Sequence, residues 1–269
     1  MEYLKYPPIE ALKPFVECYF SWRGLATEEL DVQTPPNSFG GIVFNYGDSY
    51  QSYQHSLDQL VSIPRSFACG LFTSNYHLLL KGNIEIFGVV VKPATLHNIL
   101  GLHMSKMVNS RVSLDLLLGR KANQLFSDLH KTRTDLEKVN YLDSYLASLL
   151  PVAISRLSIV DEAIELIDAR KGVVAVDGVA DELRVSRRYL EKNFLEKVGV
   201  SPKFYARIKR FTELSKQVAY GKDWDWQEII SNFGFHDQSH LVKEFLVFNN
   251  MNPTDYFQNH KELIRLIKK

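Results

Sequence analysis

A chain of 269 residues, 45% hydrophobic and 23% charged, has the make-up of a globular protein with room for two domains, each able to bury its own core. No apolar run approaches the roughly 20 residues that cross a bilayer, and Met1–Glu10 lacks the basic-then-apolar profile of a signal peptide, so the expectation is a cytoplasmic protein with no membrane partner. The net charge of +1 excludes a uniformly basic nucleic-acid binder and leaves local charge to carry any such signal. Cys18 and Cys69 are the only cysteines and form no C-x-x-C pair, which reads as two buried thiols in a reducing compartment.

Residues 1–100 read as β-rich. Gly40–Gly47 is a strand bounded by glycines, and Leu78–Leu80 and Ile84–Val91 flank Lys81-Gly82-Asn83 as the arms of a hairpin. The run Gly88–Pro93 is a buried type of strand that stops at proline, with a short helix over Ala94–Leu100. Thr34–Asn37 and the polar Tyr46–Gln59 read as loops. The sum is a small antiparallel sheet or barrel. Tyr19, Phe20, Trp22, Phe44 and Tyr46 read as its core, or as walls of a small apolar pocket.

From Ser113 the spacing turns helical. Leu114, Leu117 and Leu118 open one helix, Leu125, Phe126 and Leu129 continue the apolar face after Gly119, and Leu136 to Leu149 mark another. These leucines serve as core or as the seam of a homodimer, and spacing alone leaves both open. Pro151 ends the last helix, giving a division into residues 1–150, a linker over 151–157 and a second domain over 158–269.

The second domain is read as all-helical. Ile159–Ala169 is amphipathic and stops at Lys171-Gly172. Ala180–Phe211 then reads as helix, turn, helix, turn, helix. Ser186 is a good N-cap, because its hydroxyl can accept an unpaired backbone N–H of the first turn. Leu190 and Phe194 face inward, leaving Arg187, Arg188, Glu191 and Lys192 on the outside. A unit of the same shape follows, with Trp226–Gly234 as helix and glycine stop and Phe235–Phe245 as turn and second helix. Between them Pro202–Tyr220 reads as one helix, about 28 Å long. Ten basic residues against three acidic ones between Arg184 and Lys216 give a local balance of +7, whereas Gln217 to Asp255 comes to −4.

This pattern resembles the DNA-binding domain of AraC/XylS-type transcriptional regulators. The resemblance lies in Ala180, Leu183, Ser186, Leu190, Phe194, Gly199, Ser201-Pro202 and Arg210 around the first unit. Around the second it lies in Ile229, Phe233-Gly234-Phe235, Asp237-Gln238-Ser239, Phe245 and Pro253. It implies a transcription factor, not an enzyme, with double-stranded DNA as partner and the exposed residues of each second helix at base edges in the major groove. Carried over by position, these are Arg188, Glu191 and Lys192 in the first unit and Ser239, His240 and Lys243 in the second, with Ser186 and Arg187 at the phosphate-facing helix start. Arg and Lys can donate to guanine O6 and N7, and Glu191 can accept from cytosine N4. Equally, Glu191 can be no more than the intrahelical partner of Arg187. The second unit departs from the family at Leu246, where a basic residue is common, at Asn250, where a glycine is usual, and at Asn252, where Thr is usual.

The N-terminal half resembles, less specifically, the companion domain that precedes such DNA-binding domains, through Leu12–Glu17, Tyr19, Trp22, Gly41–Phe44, Cys69-Gly70 and Gly88–Pro93. That resemblance implies effector sensing or dimerisation, most often on a cupin-like barrel. The whole is then an α+β N-terminal domain, a small antiparallel sheet or barrel followed by helices, ahead of an all-α domain of two helix-turn-helix units. His55, His77, His97 and His103 lack a metal-ligand spacing, and no cofactor motif is present. Two alternatives remain: a DNA-targeted enzyme with a catalytic first domain, and a partner-binding protein that has lost DNA binding.

Overall fold

The computed structural model describes residues 1–54, 59–150, 158–220 and 225–259. The expected linker over 151–157 and His55 lie outside these. Eight strands form the N-terminal sheet: β1 (Glu2–Tyr6), β2 (Val16–Thr34), β3 (Gly40–Asn45), β4 (Gln51–Gln54), β5 (Gln59–Ser62), β6 (Ser66–Cys69), β7 (Tyr76–Val91) and β8 (Arg111–Ser113). All pairings are antiparallel, in the order β1-β2-β7-β3-β6-β8, with β4 and β5 branching from β7. The two long strands are the frame. They pair from Val16↔Val91 to Thr34↔Tyr76, and β7 then shares one half with β3 and the other with β4.

Two sequence expectations fail here for physical reasons. Lys81-Gly82-Asn83 is not a hairpin turn, because β7 runs straight through it and both of its halves pair with β2. Gly82 instead takes φ +85° opposite a register shift in β2 between Ala26 and Leu30. The bend is pinned where Asn83 N–H donates to Asp48 Oδ2 at 2.7 Å, as in a bulge that lets a long strand turn a corner. The supposed loop Tyr46–Gln59 contains β4, paired with β5 and β7. Its alternation is present but carried by polar residues, with Ser52 and Gln54 buried and Gln51 exposed, so hydrophobic periodicity does not register it.

After α1 (Thr95–Leu100), the helices α2 (Leu114–Leu118), α3 (Arg120–Lys131) and α4 (Asp135–Leu149) pack on the sheet. Their apolar faces join Tyr19, Phe44, Phe87 and Val89 in one core. Two buried carboxylates of α4 tie the layers. Asp143 accepts from Tyr19 Oη at 2.7 Å. Asp135 accepts from Tyr6 Oη at 2.8 Å and Arg23 Nη1 at 2.9 Å, with Arg23 Nη2 on its other oxygen.

The C-terminal domain comprises α5 (Ile159–Ala169), α6 (Val176–Glu182), α7 (Arg187–Lys197), α8 (Pro202–Tyr220), α9 (Trp226–Asn232), α10 (Gln238–Asn249) and α11 (Pro253–Asn259). One apolar cluster runs through all of these helices and takes in Leu71 and Ala94 from the first domain. The antiparallel sheet with following helices, and the helical pair of units joined by α8, are as the sequence leads one to expect.

Candidate nucleic-acid interface

The first unit is α6, turn and α7. Helix α6 closes with Val185 N–H donating to Ala180 O at 3.0 Å while Arg184 takes φ +56°, a Schellman-type cap that fixes the angle of exit. Ser186 then caps α7, its Oγ accepting from Tyr189 N–H at 3.2 Å. Leu190 and Phe194 have no exposed surface and lie in the core with Val179, Ala180 and Ile164. Burial of that stripe turns the opposite side of α7 outward.

On that outward side Arg188 and Lys192 are exposed, one turn apart. Among the described residues neither makes an ion pair, so both ammonium and guanidinium are available to an anion. Arg187 is differently placed. Its Nη1 donates to both Asp177 oxygens at 3.2 and 3.1 Å, and its Nε donates to Glu191 Oε1 at 2.9 Å. Arg187 and Glu191 thus brace α7 against α6, the arrangement in which Glu191 is an intrahelical partner.

The second unit repeats the construction with aspartates as caps. Asp225 accepts from Gln227 N–H at 2.8 Å at the start of α9, and Gly234 takes φ +62° in the turn. Asp237 accepts from His240 N–H at 2.7 Å at the start of α10. That bond, with His236 beside it, holds the Asp237 carboxyl below the usual carboxylate range. Leu241 and Phe245 are fully buried, and α10 ends on Asn250 at φ +56°. Ser239 and Lys243 are exposed. His240 is partly covered, its ring edge-on to Phe235 at 5.4 Å and its Nδ1 accepting from His236 N–H at 3.3 Å.

Helix α8 holds both units. Tyr205 packs edge-on to Phe194 at 5.5 Å in the first, and Phe211 packs against Phe245 and Phe248 at 4.9 and 5.1 Å in the second. Its basic residues are largely committed. Arg207 Nε donates to both oxygens of Glu244 at 3.1 Å, Arg210 lies 3.6 Å from the same carboxylate, and Lys209 lies 3.4 Å from Asp168. The +7 counted over this stretch therefore overstates the charge presented outward. In the second unit Glu244 is likewise committed, to two arginines, while Asp225 and Asp237 serve as helix caps. Sequence reasoning missed Glu244. The available signal was a carboxylate inside the apolar stripe of Leu241 and Phe245.

A cleft of about 590 Å³ opens between the domains, lined by Lys5, Cys18, Lys92, Ile164, Asp168 and Lys209 among others. Among the described residues no helix is long and apolar enough to cross a membrane.

Residues 179–259 match the family described as a helix-turn-helix domain, and residues 4–113 match the family described as a domain of unknown function (DUF6597). No curated protein matches the chain. Solved structures of similar shape include ToxT from Vibrio cholerae, 12% identical over 89% of this chain and 97% of that one, at a TM-score of 0.45. An unsaturated fatty acid-bound form of ToxT from Vibrio cholerae is 12% identical over 88% and 93%, at 0.43. The AraC-like transcriptional activator CuxR is 15% identical over 78% and 85%, at 0.27. The chain thus carries a helix-turn-helix domain, in two capped units, behind a sheet domain matched to a family of unknown function.

Proposed function

We infer that one molecule places α7 and α10 in successive major grooves on one face of double-stranded DNA. The observation that carries this reading is the pair of N-capped second helices joined by a single 19-residue helix. At about 28 Å α8 is close to the ~34 Å repeat of the groove. Arg188 and Lys192 are the readers of the first unit, and Ser239, His240 and Lys243 those of the second. Ser186 and Asp237 orient the helix starts whose free N–H groups face phosphate. The first unit anchors, because α7 presents Arg188 and Lys192, neither of them ion-paired among the described residues, where α10 presents Lys243. Arg188→Ala and Lys192→Ala lower affinity far more than Ser239→Ala and His240→Ala, measured by gel shift at fixed salt. Equal losses from the two pairs sink the anchoring claim.

The cleft between the domains supports a small-molecule effector as the signal that modulates this binding, because it is lined from both sides by charged and apolar groups. The thiols support regulation over DNA-modifying chemistry. Burial pushes Cys69 up to about 11 and raises Cys18, so both are held as unreactive thiols at neutral pH. A DNA partner places the site of action in the cytoplasm.

A further inference from the structure

The apolar contact between α8 and the second unit is made by Phe211 against Phe245 and Phe248 at 4.9 and 5.1 Å, and the burial of apolar area that drives it is non-directional. A charged contact behaves otherwise, because its hydrogen bonds have direction. Glu244 sits on α10 one position after Lys243 and one turn after His240, with 7% of its surface exposed. Arg207 engages it through Nε to both oxygens at 3.1 Å and through Nη2 at 2.8 Å, and Arg210 approaches from the next turn of α8 at 3.6 Å. The arginines are themselves fixed. Arg207 lies over the rings of Phe204 and Phe248 at 5.2 and 5.5 Å, and Arg210 over Phe235 at 4.4 Å. His240 Nε2 lies 3.9 Å from Glu244 Oε1, so a proposed reader of the second unit sits beside the clamp.

We propose that Glu244, held by Arg207 and Arg210, is a positioning residue that locks α10 at one angle to α8 and so sets which spacing of half-sites the protein accepts. This rests on the two-groove reading. Glutamine at the same place keeps the side chain's shape and one acceptor oxygen but removes the charge and leaves Arg207 and Arg210 without a counter-ion, so some loss of stability accompanies the loss of direction. The second unit then stays folded and stays on DNA but turns more freely, so its specificity for spacing falls.

The test uses the full chain and duplexes of about 30 base pairs, selected by the wild type from a random-sequence pool. One base pair is then inserted or deleted between the two protected grooves, or about half a turn is inserted. Expected for the wild type is a loss of about tenfold for one base pair either way. Expected for Glu244→Gln is a loss below about twofold for one base pair, with the half-turn insertion still weakening binding. Retained sensitivity to the half-turn shows that the second unit is folded and engaged, which a merely structural collapse would not give. Arg207→Lys, which keeps the charge and loses the fork, falls between the two. If Glu244→Gln does not fold, Arg207→Gln is read on the same duplexes. The proposal is overturned if the foldable variant keeps the wild-type penalty for one base pair, or if the wild type itself is indifferent to one base pair. A wild type indifferent to the half-turn insertion overturns the two-groove reading, and the clamp's role with it.

Discussion

Ser186 shows how much one hydroxyl fixes in a helix-turn-helix. Its Oγ accepts the Tyr189 N–H, which α7 cannot satisfy internally, and it does so immediately after Arg184 has turned the chain through a left-handed conformation. Ser186→Ala leaves that N–H to water and lowers stability by about 1 kcal/mol. Urea unfolding shows this as a lower midpoint at unchanged slope; an unchanged midpoint removes the cap from the account. Residues of this kind were legible in the sequence, because capping is local: Ser186 and Asn250 each act on atoms within a few positions. The Arg187–Glu191 pair was legible as one of two alternatives for the same reason. Glu244 was not, since its partners lie 37 and 34 positions away on α8 and a charge count has no term for distance in space.

At the scale of elements, the helices of the helix-turn-helix half follow their hydrophobic period closely and the strands follow theirs poorly. The run Pro202–Tyr220 reads as one helix and forms one helix with those limits. The segment Gln51–Gln54 alternates just as regularly, but its buried members are Ser52 and Gln54, so the period is written in polar residues. Joining sheet to helices falls to side chains that no periodicity marks. Asp135 is the clearest, 8% exposed and bonded to Tyr6 and Arg23 from β1 and β2. Burial pushes its carboxyl up, but the hydrogen bonds from Tyr6 and Arg23 and the charge of Arg23 outweigh it, and the net shift is downward. A folded-state pKa below the unfolded value of about 3.9 adds stability above that pH and withdraws it as pH falls through the folded value. Asp135→Asn is expected to cost about 2 kcal/mol at neutral pH, a modest figure because Arg23 is partly solvated. The gap to the wild type, followed by urea unfolding, narrows below about pH 4; a gap that persists undiminished in acid assigns the loss to shape and not to charge.

At the scale of the whole molecule, the first domain grips the second helix of each unit, α7 and α10, at its C-terminal end. Asn75 donates through its backbone N–H to Phe248 O at 2.8 Å and through Nδ2 to Asn249 O at 3.0 Å, closing on the end of α10. The end of α7 is met at Gly199, where a side-chain carbon would lie 2.6 Å from Met104 O and 2.7 Å from Val108 Cγ2. Gly199 also takes φ +97°, which L-residues avoid. The same glycine thus ends α7 and lets the first domain come close, so one residue couples a local turn to the contact between domains. Contacts across such separations, 174 positions between Asn75 and Asn249 and 95 between Gly199 and Met104, are outside the reach of any window along the chain, which is why the sequence marks Gly199 without showing what approaches it. Gly199→Ala is expected to lower stability by at least about 1–2 kcal/mol from backbone strain alone, with a further loss from the clash at Met104. Because the grip bears on the orientation of α7, DNA affinity falls in the same variant when both are measured at a temperature where it remains folded. A variant with weaker DNA binding and an unchanged melting temperature makes Gly199 a DNA-side residue only; one that melts early and binds normally separates the domain contact from DNA reading.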